Sequence, residues 1–224
     1  MNSPKLGLFA LVAVVAVLVR AIVFTPVDAL QGAAQKILYV HAPAAWVAFL
    51  AFGLVAVASA LYLWLRDPRL DHFAESSAEV GLVFTTVVLI TGPLWGKPIW
   101  GTYWTWDARL TGTLFLWFVY VGYLILRDAL DDRDMRARYS AVLGILGAAL
   151  VPFIHLSVYM FRTLHPTPVL MKPSAPSMPP AMTLTLVSSF LAFTVLYVWL
   201  LTERYAIAAA RAARADGSTD GGRA

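Results

Sequence analysis

The chain has 224 residues, 60% of them hydrophobic and 13% charged, with a formal net charge of +4 and no cysteine. A soluble domain carries about twice that charged fraction, so the chain belongs in a bilayer, where the placement of Lys and Arg says more than their sum. The lack of cysteine excludes disulfides, Cys-ligated zinc or iron–sulfur centres, and a C-x-x-C-H haem-attachment site in this chain.

Six apolar runs of about bilayer length follow in order: residues 6–25, 37–65, 78–94, 110–126, 139–161 and 181–202. Each is expected to be a helix, because a backbone in hydrocarbon must satisfy its own hydrogen bonds. Arg20 lies near the end of the first run, where a long side chain reaches the interface. No small-residue cleavage site follows that run, so it reads as a retained helix and not a signal peptide. The second run is longer than one crossing needs. The expected fold is therefore all-α: one six-helix membrane domain over 1–207, followed by a disordered cytoplasmic tail over 208–224 whose composition predicts fraying. Residues 166–180 hold six prolines, so the loop 162–180 is expected to be extended and stiff.

Basic residues in the connections set the orientation. Lys5, Arg66, Arg69, Arg127, Arg133, Arg136, Arg138, Arg204, Arg211, Arg214 and Arg223 fall on one side, against Arg20, Lys36, Lys97, Arg109, Arg162 and Lys172 on the other. Both termini are expected in the cytoplasm. The connections at 26–36, 95–109 and 162–180 are then expected to face outward, toward the periplasm in a bacterium. This sorts the four histidines: His41, His155 and His165 fall toward the outer side, and His72 toward the inner.

The connection between the third and fourth helices reads WGKPIWGTYWTWDAR over 95–109. Trp and Tyr gather at membrane interfaces in general, and a single residue such as Trp64 or Trp199 needs no further explanation. Trp95, Trp100, Trp104 and Trp106 together exceed such a belt. Gly96, Pro98 and Gly101 are expected to interrupt regular structure there. The segment reads as a platform of flat rings for a flat, apolar ligand, with Lys97 and Arg109 available to anionic groups. Asp107 suits either capping of the fourth helix or direct contact with a ligand.

His41 lies in YVHAPA and His165 in RTLHP. Each alone suits an ordinary structural role. As a pair flanking an aromatic platform they suit the two axial positions of a haem iron; imidazole also accepts copper, zinc or nickel, but a bare ion has no use for the aromatic surface. His155, within a span, is a functional candidate by position, with a packing role favoured.

Taken in order, YVHAPA, WGKPIWGTYWTWDARLTG and RTLH resemble the CcmC family, the haem-handling membrane subunits of cytochrome c maturation. The likeness covers nearly the whole chain. The tryptophan-rich WWD motif is shared with the CcmF and CcsA types, while the flanking residues and the short six-span chain narrow it to CcmC. The resemblance implies non-covalently held b-type haem with His41 and His165 as axial ligands. It also implies that Trp95, Gly96, Trp100, Tyr103, Trp104, Trp106, Asp107 and Arg109 hold the haem and present it to the periplasmic chaperone CcmE. Tyr103 stands where the family often has a second adjacent Trp, which keeps a stacking face and adds a hydroxyl. CcmD and the ABC-type subunits CcmA and CcmB are the further implied partners, any ATP hydrolysis being theirs. On this reading the chain is a haem-delivery protein of the bacterial inner membrane and not an enzyme. Lys36, Lys97, Arg109, Arg162 and Lys172 are candidate partners for the propionates. A haem lyase of the same superfamily and a transmembrane haem transporter are the alternatives. The first is generally longer; the second lacks an evident polar path through the spans.

Overall fold

The structure is a computed structural model and describes residues 4–167, 170, 174 and 177–220. Lys172, Arg223 and the prolines at 168, 173 and 176 lie outside the described residues. Among the described residues seven α-helices follow one another: α1 (Pro4–Val19), α2 (Leu38–Leu65), α3 (Pro68–Trp100), α4 (Ala108–Ala129), α5 (Arg133–Ala148), α6 (Leu150–Met160) and α7 (Pro180–Asp220). A π-helical turn, Arg20–Phe24, extends α1, and a 3-10 turn, Ala33–Ile37, leads into α2. Counting these turns and joining α5 to α6 gives six helical stretches long and apolar enough to cross a membrane, as the sequence predicts.

Helix α2 occupies the centre, packed against α3, α5 and α7, while α1 sits outside against α7. Ala44, Val47, Ala48, Ala51, Phe52 and Val55 of α2 are buried, and the ring of Phe52 stacks on Tyr120 of α4 at 3.7 Å between centroids. Small residues let the helices approach, as membrane packing requires in the absence of a hydrophobic drive between helices. A Cβ at Gly81 of α3 would meet Ala51 Cβ at 2.9 Å, and one at Gly144 of α5 would meet Val55 Cγ1 at 2.9 Å. Hydroxyls tie the apolar faces at single points: Ser77 donates to the Ala51 carbonyl (2.9 Å), and Tyr120 to the Gly144 carbonyl (2.9 Å).

Three helices differ from the expected limits. The 33 residues of α3 span about 50 Å at 1.5 Å per residue, more than the hydrocarbon thickness of about 30 Å, so both ends extend past the apolar run. At its start, Asp67 caps the helix by accepting from the Arg69 N–H (2.9 Å). Asp71, Glu75 and Glu79 then recur at four-residue spacing on one face. Arg127 of α4 donates to Asp71 through both terminal nitrogens (2.6 and 2.9 Å) and to Glu75 (2.8 Å), and Arg204 of α7 pairs with Glu79.

At its other end α3 corrects the expectation of irregular backbone over the aromatic segment, for Trp95–Trp100 is helical. A proline in a membrane helix removes one hydrogen bond, and neighbouring structure compensates; Pro93 and Pro98 are both carried inside α3. The helix stops at Gly101, whose φ of +76° and N–H bond to the Lys97 carbonyl (3.0 Å) form a left-handed cap. Within the aromatic segment 95–109, residues 101–107 are irregular.

The fifth span divides between α5 and α6 at Ala149. Pro152 has no N–H to offer the Ala148 carbonyl four residues back, which accounts for the break. Helix α7 runs to Asp220, through an alanine-rich stretch, and alanine is the best helix former.

Candidate functional site

The start of α2, the end of α3, the start of α4 and the loop after α6 enclose a void of about 1110 Å³, its open mouth included. Its floor is apolar, with Ala45, Ala48 and Phe49 from α2, Val88 and Leu89 from α3, and Leu110 and Leu116 from α4. Toward the mouth it is lined by His41, Trp95, Trp100, Tyr103, Trp104, Arg109 and His165. The three segments separated in sequence thus meet on one cavity.

His41 lies in the first turns of α2 and is buried. Its Nδ1 is 2.9 Å from Thr91 Oγ1, and Thr91 Oγ1 donates its own proton to the Val87 carbonyl (2.7 Å). A Thr91 hydroxyl that spends its proton on Val87 accepts from the ring, which favours the His41 tautomer with its proton on Nδ1. His165 reaches the same state by another route, with Nδ1 2.9 Å from the Pro166 carbonyl, which can only accept. In both rings Nε2 keeps its lone pair. Burial, then the positive charge of Arg109, holds the His165 pKa down to about 4, so this imidazole is neutral at pH 7, the form a metal requires.

The two ring centroids lie 6.4 Å apart with planes inclined by 35°. Two imidazoles sharing one metal at about 2 Å per bond need centroids about 6 Å apart. Trp95 meets the His41 ring edge-on at 5.9 Å and is held by its Nε1–H donating to Gln31 Oε1 (3.1 Å). Trp100 stands 6.5 Å from the His165 ring. A Cβ at Gly96 would lie 3.0 Å from Trp100 Cε3, so glycine there lets the indole lie against its own helix.

Asp107 caps α4: its Oδ1 accepts from the Arg109 and Leu110 N–H groups (3.0 and 2.9 Å). Its Oδ2 accepts from Thr105 (3.1 Å) and Thr163 (2.9 Å). Thr163 in turn accepts from the His165 N–H (3.1 Å). Both carboxylate oxygens are thus engaged within the protein, and Asp107, Gly96 and Trp106 do not line the cavity. Trp106 is 77% exposed and meets Trp104 edge-on at 5.7 Å.

Of the basic residues singled out from the sequence that fall among the described residues, Arg109 is the one in the wall. Its Nη1 is buried with no hydrogen-bond partner, as is Nε1 of Trp104. Lys36 instead donates to the carbonyls of Ile22 and Thr25, and Lys97 to that of Gly101 while lying over the Tyr103 ring at 5.2 Å. Arg162 is exposed and, like His155, is not part of the lining.

The chemistry of this donor set fits haem. Two imidazoles with available Nε2 suit axial ligation, indole faces suit the macrocycle, and an orphaned guanidinium N–H suits a carboxylate. Among the described residues no group of three or more His, Cys, Asp or Glu gathers that could hold a metal ion. The sequence reading missed Thr91, Gln31 and Thr163. The last two carry no signal beyond polarity, whereas Thr91 stands one turn before Trp95 on the face that meets α2.

Fold and site together define a six-span membrane protein with a paired-histidine, tryptophan-walled cavity at one end of the bundle. The family model described as heme exporter protein C, CcmC, matches residues 2–218; the chain belongs to this family. Heme exporter protein C of Bradyrhizobium diazoefficiens is 41% identical over 78% of this chain and 66% of its own length. That of Haemophilus influenzae is 37% identical over 91% and 82%, and that of Escherichia coli K12 is 42% identical over 63% and 58%. The aligned stretch thus falls short of two thirds of some of these relatives.

Proposed function

We propose that this protein binds b-type haem non-covalently in the tryptophan-walled cavity and hands it to a haem chaperone, CcmE, during cytochrome c maturation. His41 and His165 are the axial ligands, Trp95, Trp100, Tyr103 and Trp104 contact the macrocycle, and Arg109 pairs with a propionate. The observation that carries this reading is the pairing of the two rings, 6.4 Å apart between centroids, each with Nδ1 2.9 Å from an oxygen of the protein. When bound, the haem supplies a redox-active iron and a flat apolar face. The protein's own residues orient it, exclude water from its inner edge and satisfy its carboxylate.

Membership of the heme exporter protein C family supports the choice of ligand. Exposure of Trp106 and Tyr103, 77% and 58%, supports a docking role for the rim. The excess of Lys and Arg on the opposite side supports a cytoplasmic location for both termini and a periplasmic cavity in the inner membrane. The role is delivery and not catalysis: an acceptor protein takes the haem, and any ATP hydrolysis belongs to a partner subunit of an assembly with CcmA, CcmB and CcmD.

Visible absorption spectra of the purified protein test the site. His41→Ala and His165→Ala are each expected to abolish a low-spin bis-imidazole signature, and an unchanged spectrum in either variant overturns the assignment. Deletion of CcmE is expected to leave haem accumulated on this chain; no accumulation overturns the donor role.

A further inference from the structure

We infer that Thr91 is the positioning residue of His41, fixing which nitrogen the ring presents and how strongly it donates. This rests on the reading of His41 as a haem ligand. A threonine hydroxyl has one proton to give, and here it goes to the Val87 carbonyl at 2.7 Å. The oxygen facing His41 Nδ1 at 2.9 Å is therefore an acceptor, and the imidazole proton is held on that nitrogen.

Gly92 completes the seat. A Cβ at this position would lie 3.3 Å from His41 Cε1, so the ring rests against a bare Cα. Thr91 fixes the tautomer, and Gly92 leaves the space that the ring occupies. Trp95, one turn further along α3, meets the ring edge-on. The arrangement differs from that of His165, whose Nδ1 is satisfied by the carbonyl of its own neighbour in a loop. A hydrogen bond from the far ring nitrogen makes an imidazole a stronger donor and fixes its orientation; loss of such a partner typically costs 10–100-fold in affinity. Stronger donation favours ferric over ferrous iron, so Thr91 holds the reduction potential down.

The test compares the full-length wild type with Thr91→Val, Thr91→Ser and Gly92→Ala, reading haem content on titration with haemin, the visible spectrum and the reduction potential. Thr91→Val is expected to bind haemin about 10–100-fold more weakly. It is also expected to show a higher potential, by about 59 mV for each tenfold loss of ferric over ferrous affinity. Thr91→Ser is expected to restore both. Gly92→Ala is expected to weaken binding by displacing the ring. Wild-type affinity and potential in Thr91→Val overturn the inference. A measurement on the haem-free wild type stands independently of whether any variant folds: ¹⁵N shifts of His41 are expected to report a proton on Nδ1, and a proton on Nε2 overturns it. A wild type with no bis-imidazole spectrum overturns the haem reading itself, whereas a normal wild-type spectrum with an unaltered Thr91→Val overturns the role of Thr91 alone.

Discussion

Thr163 donates to Asp107 Oδ2 at 2.9 Å, joining the loop that carries His165 to the N-cap of α4. One carboxylate thus performs two tasks, since Oδ1 satisfies the first backbone N–H groups of the helix while Oδ2 holds the loop. The two tasks separate by substitution. Asp107→Ala is expected to cost about 1 kcal/mol through the lost cap and to weaken haemin binding as the His165 loop loosens. Thr163→Val is expected to leave thermal stability in detergent near the wild-type value while still weakening haemin binding. Equal haemin affinity in Thr163→Val and wild type would show that the tie does not position His165.

The Arg127–Asp71–Glu75 cluster gives a stability prediction at the opposite end of the bundle. Arg127 is only 5% exposed, and its removal leaves two neighbouring carboxylates on one face of α3 without their counter-charge from α4. Breaking a buried pair by deleting one partner typically costs about 3–5 kcal/mol. Arg127→Met is expected to lower the unfolding free energy by that order. The triple variant Arg127→Met, Asp71→Leu, Glu75→Gln is expected to recover most of it, because no buried charge is then left alone. Denaturation followed by circular dichroism in detergent checks both, and equal loss in the two variants contradicts the account.

Gly101 ends α3 with φ at +76°. A left-handed conformation costs an L-residue about 1–2 kcal/mol, so Gly101→Ala is expected to destabilise by about that amount without touching the cavity. Gly96→Ala is expected to do the reverse. Its Cβ would press on Trp100 at 3.0 Å, shifting tryptophan emission and haemin affinity with little change in stability. Interchanged results for the two glycines would contradict these roles.

Arg109 predicts selectivity for carboxylates. A hydrogen bond to a charged group contributes about 1.5–3 kcal/mol, so the wild type is expected to bind haemin at least about tenfold more tightly than its dimethyl ester. Arg109→Gln is expected to lose most of that preference while keeping the bis-imidazole spectrum. A preference unchanged in Arg109→Gln would place the propionates elsewhere.

The sequence by itself determined the membrane class, the six crossings and the three segments that matter, because apolar runs of bilayer length and a cluster of indoles are local signals that no tertiary context overrides. It singled out His41 and His165 as a pair flanking the aromatic segment, with the ligand role coming from the family resemblance, and the fold brings the two rings to 6.4 Å between centroids. Its reading of 95–109 as wholly irregular failed at Trp95–Trp100, where packing carries α3 through Pro93 and Pro98. It left Asp107 open between cap and ligand contact, and the contacts of its two oxygens now account for both of them within the protein. Five basic residues were equal candidates, and the fold brought Arg109 to the wall with an unpartnered N–H while it spent Lys36 and Lys97 on backbone carbonyls. The seat of His41 is the clearest case. Thr91 lies 50 positions away in sequence, and only the packing of α2 on α3 decides that its hydroxyl meets an imidazole; a hydrogen bond between distant residues depends on helix register, which periodicity alone does not encode.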